Sequence, residues 1–162
     1  MMHLSHPFLP VVDAECRILI LGSFPSVKSR EDGFFYGHPQ NRFWKMLARV
    51  YQAPIPASIA EKQALLLRHH IALWDVIASC DIVGSSDASI RNAVPVNIRC
   101  ITEIASIDRV ICNGQLAGKL YRHYLEPVLG IKAAVLPSTS PANAACSLNR
   151  LIELWRAALE SK

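Results

Sequence analysis

Four short apolar runs, at residues 17–21 (RILIL), 71–77 (IALWDVI), 109–112 (RVIC) and 131–136 (IKAAVL), constrain the fold of this chain more than any other feature. They are rich in β-branched residues and leucine. Gly22 ends the first, Asn113 and Gly114 the third, and Pro137 the last. Continuous apolar runs of this length suit strands buried on both faces. The segments between them have a helical period. Phe43, Met46, Leu47 and Val50 fall at i, i+3, i+4 and i+7, one face of a helix. Ser58 and Glu61 form a capping box ahead of Leu65, Leu66 and Leu67. Asn97 can cap a helix carrying Ile98, Ile101 and Ala105, and another with Leu116, Leu120, Tyr121 and Tyr124 follows Gly114. The last helix shows Leu148, Leu151, Ile152, Trp155 and Leu159. Strands alternating with helices imply parallel pairing and right-handed crossovers. The expected fold is α/β, a three-layer α/β/α sandwich with a central, mainly four-stranded parallel sheet. One domain should span residues 1–162, with 1–15 as an extended lead-in without periodicity.

This architecture says where a ligand would bind. In an open parallel sheet the crevice lies beyond the carboxyl ends of the strands. Those ends open here into GSFPS (22–26), WDV (74–76) with the polar stretch 80–97, NGQ (113–115) and PSTSPAN (137–143). Residues 22–44 hold so many glycine, proline, aromatic and polar side chains that they read as a displayed loop rather than as core.

Composition narrows the function classes. At 51% hydrophobic and 19% charged residues the chain can bury its own core. No apolar run approaches the roughly 20 residues that cross a bilayer, and residues 1–10 lack a signal-peptide layout, so a cytoplasmic protein is expected. The five cysteines, Cys16, Cys80, Cys100, Cys112 and Cys146, are widely spaced with no C-x-x-C pair. This argues against a metal, a cluster or a disulfide framework. A net charge of +4 leans toward a polyanion without deciding it.

Three stretches carry a family resemblance: the G-x-x-P turn from Gly22 to Pro25, GFFYGHPQNRFWKML at 33–47, and LPSTSPAN at 136–143. Together they resemble the uracil-DNA glycosylase superfamily over roughly residues 16–158. The second is similar to the mismatch-specific uracil and thymine glycosylases. The third is similar to the deoxyinosine (hypoxanthine) DNA glycosylase branch. Two positions depart from the mismatch-specific pattern. Phe24 stands where those enzymes carry the Asn of G-I-N-P-G, and an apolar ring cannot orient a water. Leu136 stands where they have Asn before Pro-Ser. In the deoxyinosine branch the Asn of P-x-N-x-F-W is implicated in catalysis, and that position is Asn41.

The resemblance implies a monofunctional DNA glycosylase without cofactor or metal, expected to be a monomer. It would remove hypoxanthine first and uracil second from DNA containing deaminated bases. The flipped base needs a π surface, donors for its oxygen and a placed water. Asn41 would place the water through its amide oxygen or bond the base, and Tyr36 would stack on it. Gly22, Ser23, Phe24, Pro25 and Asn113 would complete the base pocket. Ser138, Thr139 and Ser140 would bond phosphate through hydroxyl and backbone N–H groups, with Pro141, Ala142 and Asn143 at the groove and Lys28 and Arg42 on the backbone. No lysine sits where a Schiff-base nucleophile is needed, which argues against lyase chemistry.

Each role has a plainer rival. Asn41 can be a helix cap, Tyr36 a packing ring replaced in stacking by Phe34 or Phe35, and 137–143 a polar turn. Asp75 can be a buried anchor, while Asp81, Asp87 and residues 85–89 remain secondary candidates. Two other functions stay open: a non-catalytic DNA or nucleotide binder on the same fold, and a small-molecule hydrolase.

Overall fold

The computed structural model describes residues 2–160. Met1, Ser161 and Lys162, inside the expected domain span, lie outside the described residues. In chain order the elements are β1 (Met2–Ser5), β2 (Ile18–Gly22), α1 (Val27–Asp32), α2 (Phe43–Val50), α3 (Ile59–Arg68), β3 (Ile71–Asp75) and β4 (Ile77–Ile82). A short 3-10 turn (Asp87–Ser89) leads to β5 (Arg91–Pro95), α4 (Arg99–Thr102), β6 (Arg109–Asn113), α5 (Gln115–Tyr124), α6 (Glu126–Leu129), β7 (Ala133–Leu136) and α7 (Leu148–Glu160).

The four apolar runs form the expected parallel sheet, flanked by helices, in the order β3-β2-β6-β7. All of β2 and β3 is buried, as strands covered on both faces must be. The chain runs from β2 outward to β3, then returns past β2 to β6 and β7. The switch point therefore lies between β2 and β6. The helices follow their patterns: Phe43, Met46, Leu47 and Val50 are buried in α2, and Leu151, Ile152, Trp155 and Leu159 in α7. The Ser58–Glu61 capping box closes α3 in both directions. Asn97 bonds the Arg99 N–H, although α4 is a single turn. Among the described residues no helix is long and apolar enough to cross a membrane, and all five cysteines are free.

Three expectations require correction. First, residues 71–77 are not one strand. Val76 donates to Gly22 O, Ile77 to Ser23 O, and the chain leaves the parallel sheet after Asp75. Second, 80–97 is not an irregular polar stretch, because β4 and β5 pair antiparallel there. Third, the lead-in is structured: β1 pairs with β4, giving a second sheet of order β1-β4-β5. Further along the lead-in, Val11 and Leu73 exchange both backbone hydrogen bonds, tying it to the parallel sheet as well. The apolar residues of 1–15 are irregularly spaced and interrupted by Pro7 and Pro10, so no period registers and only pairing with a strand distant in sequence defines this element.

Candidate active site

All four carboxyl ends of the parallel sheet open into one cleft of about 340 Å³. Gly22 ends β2, Asp75 ends β3, Asn113 ends β6, and Ser138 to Ala142 follow β7; each of these lines the cleft. Ser23, Phe24, Pro25, Ser26, Ser29, Phe35, Tyr36, His38, Asn41, Ser85 and Asp87 complete the wall. Of the residues expected at the site, Lys28, Arg42 and Asn143 lie outside this lining.

Residues 22–44 divide into a buried frame and a displayed minority. Phe34 and Phe35 are buried, which corrects the reading of these rings as displayed, and Phe43 and Trp44 are buried with them as core anchors of the loop. The Trp44 indole N–H donates to Phe35 O at 3.0 Å, and Phe34 stacks on Trp44. Phe34 is thereby removed as a stacking surface for a base. Ser26 caps α1 by accepting from Ser29 N, and Ser29 Oγ in turn accepts from Gly37 N. These bonds bring Tyr36 over the cleft with φ of 54°. A non-glycine residue there is strained, as happens where a site fixes its geometry. The Tyr36 ring lies on Phe43 with centroids 4.4 Å apart, and its hydroxyl is buried without a partner among the described residues. Burial drives the phenol well above its ordinary value, the Asp75 carboxylate adds to this, and the neighbouring Asn113 side chain opposes it.

Asn41 turns out to be a cap and a cleft residue at once. Its Oδ1 accepts from Phe43 N at 2.9 Å at the start of α2 and from the Thr139 hydroxyl at 2.9 Å. A main-chain N–H can only donate, so the amide orientation is set by the backbone. Both lone pairs of the oxygen are engaged, which overturns the expectation that this oxygen orients a water. The Nδ2 group is the end left without a partner among the described residues.

Asn113 is fixed by the same logic. Thr139 N donates to its Oδ1, and its Nδ2 donates to Thr139 Oγ1, both at 3.0 Å. One directional chain therefore runs from Asn113 Nδ2 through the Thr139 hydroxyl to Asn41 Oδ1, linking the ends of β6, β7 and the first loop.

This chain corrects two DNA-contact expectations. Thr139 is fully buried, with its N–H and hydroxyl both spent inside, so it has nothing left for phosphate. Arg42 is turned inward as well: its guanidinium donates to Cys146 O, to Asn143 O at 2.9 Å and to Ser140 O at 3.3 Å. Asn143 holds its own turn through Nδ2 to Ser138 O. Ser138 Oγ accepts from Ser140 N, and Ser140 Oγ from Ala142 N. Pro141 and Ala142 form the outer lip, and Lys28 pairs with Asp32 at 3.3 Å on the surface. Phe24 presents backbone to the cleft while its ring packs in a small cluster with Ile77, Cys80 and Ile82.

On the far wall, Asp87 accepts from the Ser23 hydroxyl at 3.2 Å. Desolvation raises its carboxyl above the usual range, and the Ser23 bond opposes this. Asp81 takes no part, since it lies on the second sheet bonded to His3 and Asn92. His6 is the residue that the sequence concealed. From the end of β1 it reaches the cleft residue Asp75 at 2.8 Å, and both side chains are buried. A lone histidine before Pro7 gives no local signal of such a pairing.

The model of the uracil DNA glycosylase superfamily matches residues 9–159. A hypoxanthine DNA glycosylase from Methanosarcina acetivorans is 36% identical over 155 residues, covering 93% of this chain and 94% of the relative. A hypoxanthine DNA glycosylase from Methanosarcina barkeri is 31% identical over 141 residues, covering 84% and 86%. The solution NMR structure of a Methanosarcina acetivorans protein, provisionally described as a uracil DNA glycosylase, superposes with a TM-score of 0.82 at 31% identity. It covers 98% of this chain and 97% of that one. The chain belongs to the uracil DNA glycosylase superfamily.

Proposed function

We propose that the protein is a monofunctional DNA glycosylase that hydrolyses the N-glycosidic bond of deaminated bases, hypoxanthine before uracil. The observation that carries this reading is the convergence of four strand ends on one cleft, with Asn41 held there by two hydrogen bonds to its amide oxygen. Such chemistry places positive charge on the sugar and negative charge on the departing base. A target inside a duplex must first be flipped out, at a few kcal/mol that a mismatched pair reduces.

A neutral amide is a poor base. With its oxygen saturated, Asn41 acts as a donor through Nδ2, to the leaving base or to the oxygen of the attacking water. Preorganised donors of this kind stabilise developing negative charge without reorganising during the reaction. The relatives named for hypoxanthine favour the purine as first substrate. None of the residues lining the cleft is a lysine, in keeping with base release that leaves an abasic site and an uncut strand. The Pro141–Ala142 lip, and Lys28 on exchanging its surface pairing with Asp32 for phosphate, are placed to meet DNA from outside.

The test is a labelled duplex with one deoxyinosine, incubated with the protein and then treated with alkali. Scission at the lesion is expected only after the alkali step. Absence of scission at any enzyme excess would sink the reading and favour a non-catalytic binder. Asn41→Ala should lose about 100-fold or more in single-turnover release, the scale seen when one transition-state donor is removed, while still binding DNA. Near-normal release would move the chemistry to another residue.

A further inference from the structure

Asp75 and His6 form a buried pair behind the cleft, with side chains 4% and 5% exposed. The imidazole is boxed in by the rings of Phe8, Phe24, Phe35 and Trp74, with centroids 4.8 to 6.4 Å away. The Phe8 N–H donates to His6 Nδ1 at 3.4 Å. Nδ1 is therefore the acceptor, which leaves Nε2 as the N–H that donates to Asp75 Oδ2 at 2.8 Å. The other oxygen, Oδ1, makes no hydrogen bond among the described residues, and Asp75 lines the cleft. Oδ1 lies over Gly22, where an added Cβ would collide with it and come within 2.8 Å of the Tyr36 hydroxyl. That hydroxyl is itself buried and unpartnered. An acceptor and a donor with no protein partners thus stand side by side at the end of β2, and only glycine lets both approach the backbone.

This pair matches one edge of a base. Hypoxanthine carries a ring N–H at N1 beside a carbonyl at C6, whereas adenine presents a bare N1 beside an amino group. Uracil repeats the hypoxanthine pattern at N3 and C4. We propose that Asp75 Oδ1, oriented by His6, accepts the ring N–H of the flipped base while the Tyr36 hydroxyl donates to the neighbouring carbonyl oxygen. Asp75 then selects the lactam edge that deamination creates. This assignment rests on the glycosylase reading and names the substrate class of that same site. Adenine would set its N1 lone pair against the carboxylate and leave buried polar groups unpaired, the condition under which sites reject a near-isostere most strongly. Guanine and thymine carry the same lactam edge, so they are spared by the cost of extracting them from stable pairs. Burial keeps the phenol protonated at neutral pH and hence a donor. His6 is a positioning residue, and its ring holds Oδ2 so that Oδ1 faces the base.

The experiment is single-turnover base release from two duplexes, one with deoxyinosine and one with 1-methyldeoxyinosine, whose N1 has no proton. Wild type should prefer deoxyinosine by about 100-fold, the scale of one hydrogen bond to a charged group. Asp75→Asn should lose most of its activity on deoxyinosine and little on the methylated base, so that the ratio collapses. His6→Phe should lower the same ratio, and His6→Gln, which keeps an N–H donor, should restore part of it. Structural damage would lower both rates together and leave the ratio unchanged. An unchanged ratio in Asp75→Asn, with wild type releasing hypoxanthine, overturns the assignment and leaves the glycosylase reading standing. If Asp75→Asn does not fold, wild type decides: a ratio near one overturns the assignment and about 100 upholds it. No release by wild type from either duplex overturns both readings.

Discussion

The two loops that meet over the cleft are held by different forces. Residues 22–44 are nailed down by apolar burial, with Phe34, Phe35, Phe43 and Trp44 in the main core. Residues 137–143 have few apolar anchors and are held almost wholly by hydrogen bonds to Asn113, Arg42 and one another. Each loop has one tryptophan clamp, Trp44 Nε1 to Phe35 O in the first and Trp155 Nε1 to Pro137 O in the second. Burial is strong and tolerant of direction, whereas hydrogen bonds are weaker and fix angles. The first loop should therefore contribute stability. The second should contribute position, because through Thr139 it sets the amide of Asn41.

The largest effect should come from Phe35→Ala, which opens a cavity under the first loop. A loss of about 3–5 kcal/mol is expected for such a truncation, read from urea unfolding. A loss below 1 kcal/mol would show that the loop does not depend on its rings. Next, Arg42→Ala removes the donors to two carbonyls of the second loop, Ser140 O and Asn143 O, and to Cys146 O just after it. About 2 kcal/mol should go, given the worth of hydrogen bonds from a charged group. Amide exchange should accelerate in residues 138–146 and hardly at all in β2 or β6. Equal acceleration everywhere would mean that the two loops unfold as one.

Thr139→Val is the sharper test of position against stability. It replaces the hydroxyl that links Asn113 to Asn41 with a methyl of similar size. Stability should fall by only about 1 kcal/mol, while base release falls by about 10- to 100-fold through misplacement of the amide. Thr139→Ser should recover most of that loss. A release rate that tracks stability alone would show that Thr139 merely fills space.

The smallest effect belongs to the second sheet. Asp81 is held below its ordinary value, 3.8, first by the Asn92 amide and then by His3. A depressed carboxyl contributes stability that is present above the unfolded value and lost as pH falls through the folded one. Between pH 4 and pH 2, β1 amide shifts should move in wild type and not in Asp81→Asn, with little change at the cleft. Loss of the cleft signals together with β1 would tie the two sheets into one unit.

The site was half legible in the sequence. Gly22, Asn113 and Ser138 were readable because they sit at the carboxyl ends of apolar runs that suit buried strands, whereas Tyr36 and Asn41 were named only by the family resemblance of residues 33–47. The two alternatives posed for Asn41, cap or site residue, do not exclude each other, since its oxygen caps α2 while its Nδ2 is left without a partner among the described residues of the cleft wall. A sequence cannot show that an amide has separate tasks. The aromatic content of 22–44 misled for a related reason: composition reports that rings are present, not which side of the loop they face. Arg42 and Thr139 were read as outward because their types favour phosphate. The partners of Arg42, and Asn41 as a partner of Thr139, lie 98 to 104 residues away, and no local pattern encodes them.

The sequence by itself determined the parallel sheet, its helices and the edge on which the cleft opens, because these follow from continuous apolar runs, from a helical period of 3.6 residues and from strand-ending glycine, asparagine and proline. Only the tertiary structure decided which atoms in the cleft are free. It spent the oxygen of Asn41 and the hydroxyl of Thr139 on each other, turned Arg42 inward, and brought His6 from the lead-in to orient Asp75 beneath Tyr36. A hydrogen bond is satisfied by whatever the fold brings within about 3 Å, and in this chain the fold brings together residues from opposite ends. That leaves Asn41 Nδ2, Asp75 Oδ1 and the Tyr36 hydroxyl among the cleft groups without partners in the described residues.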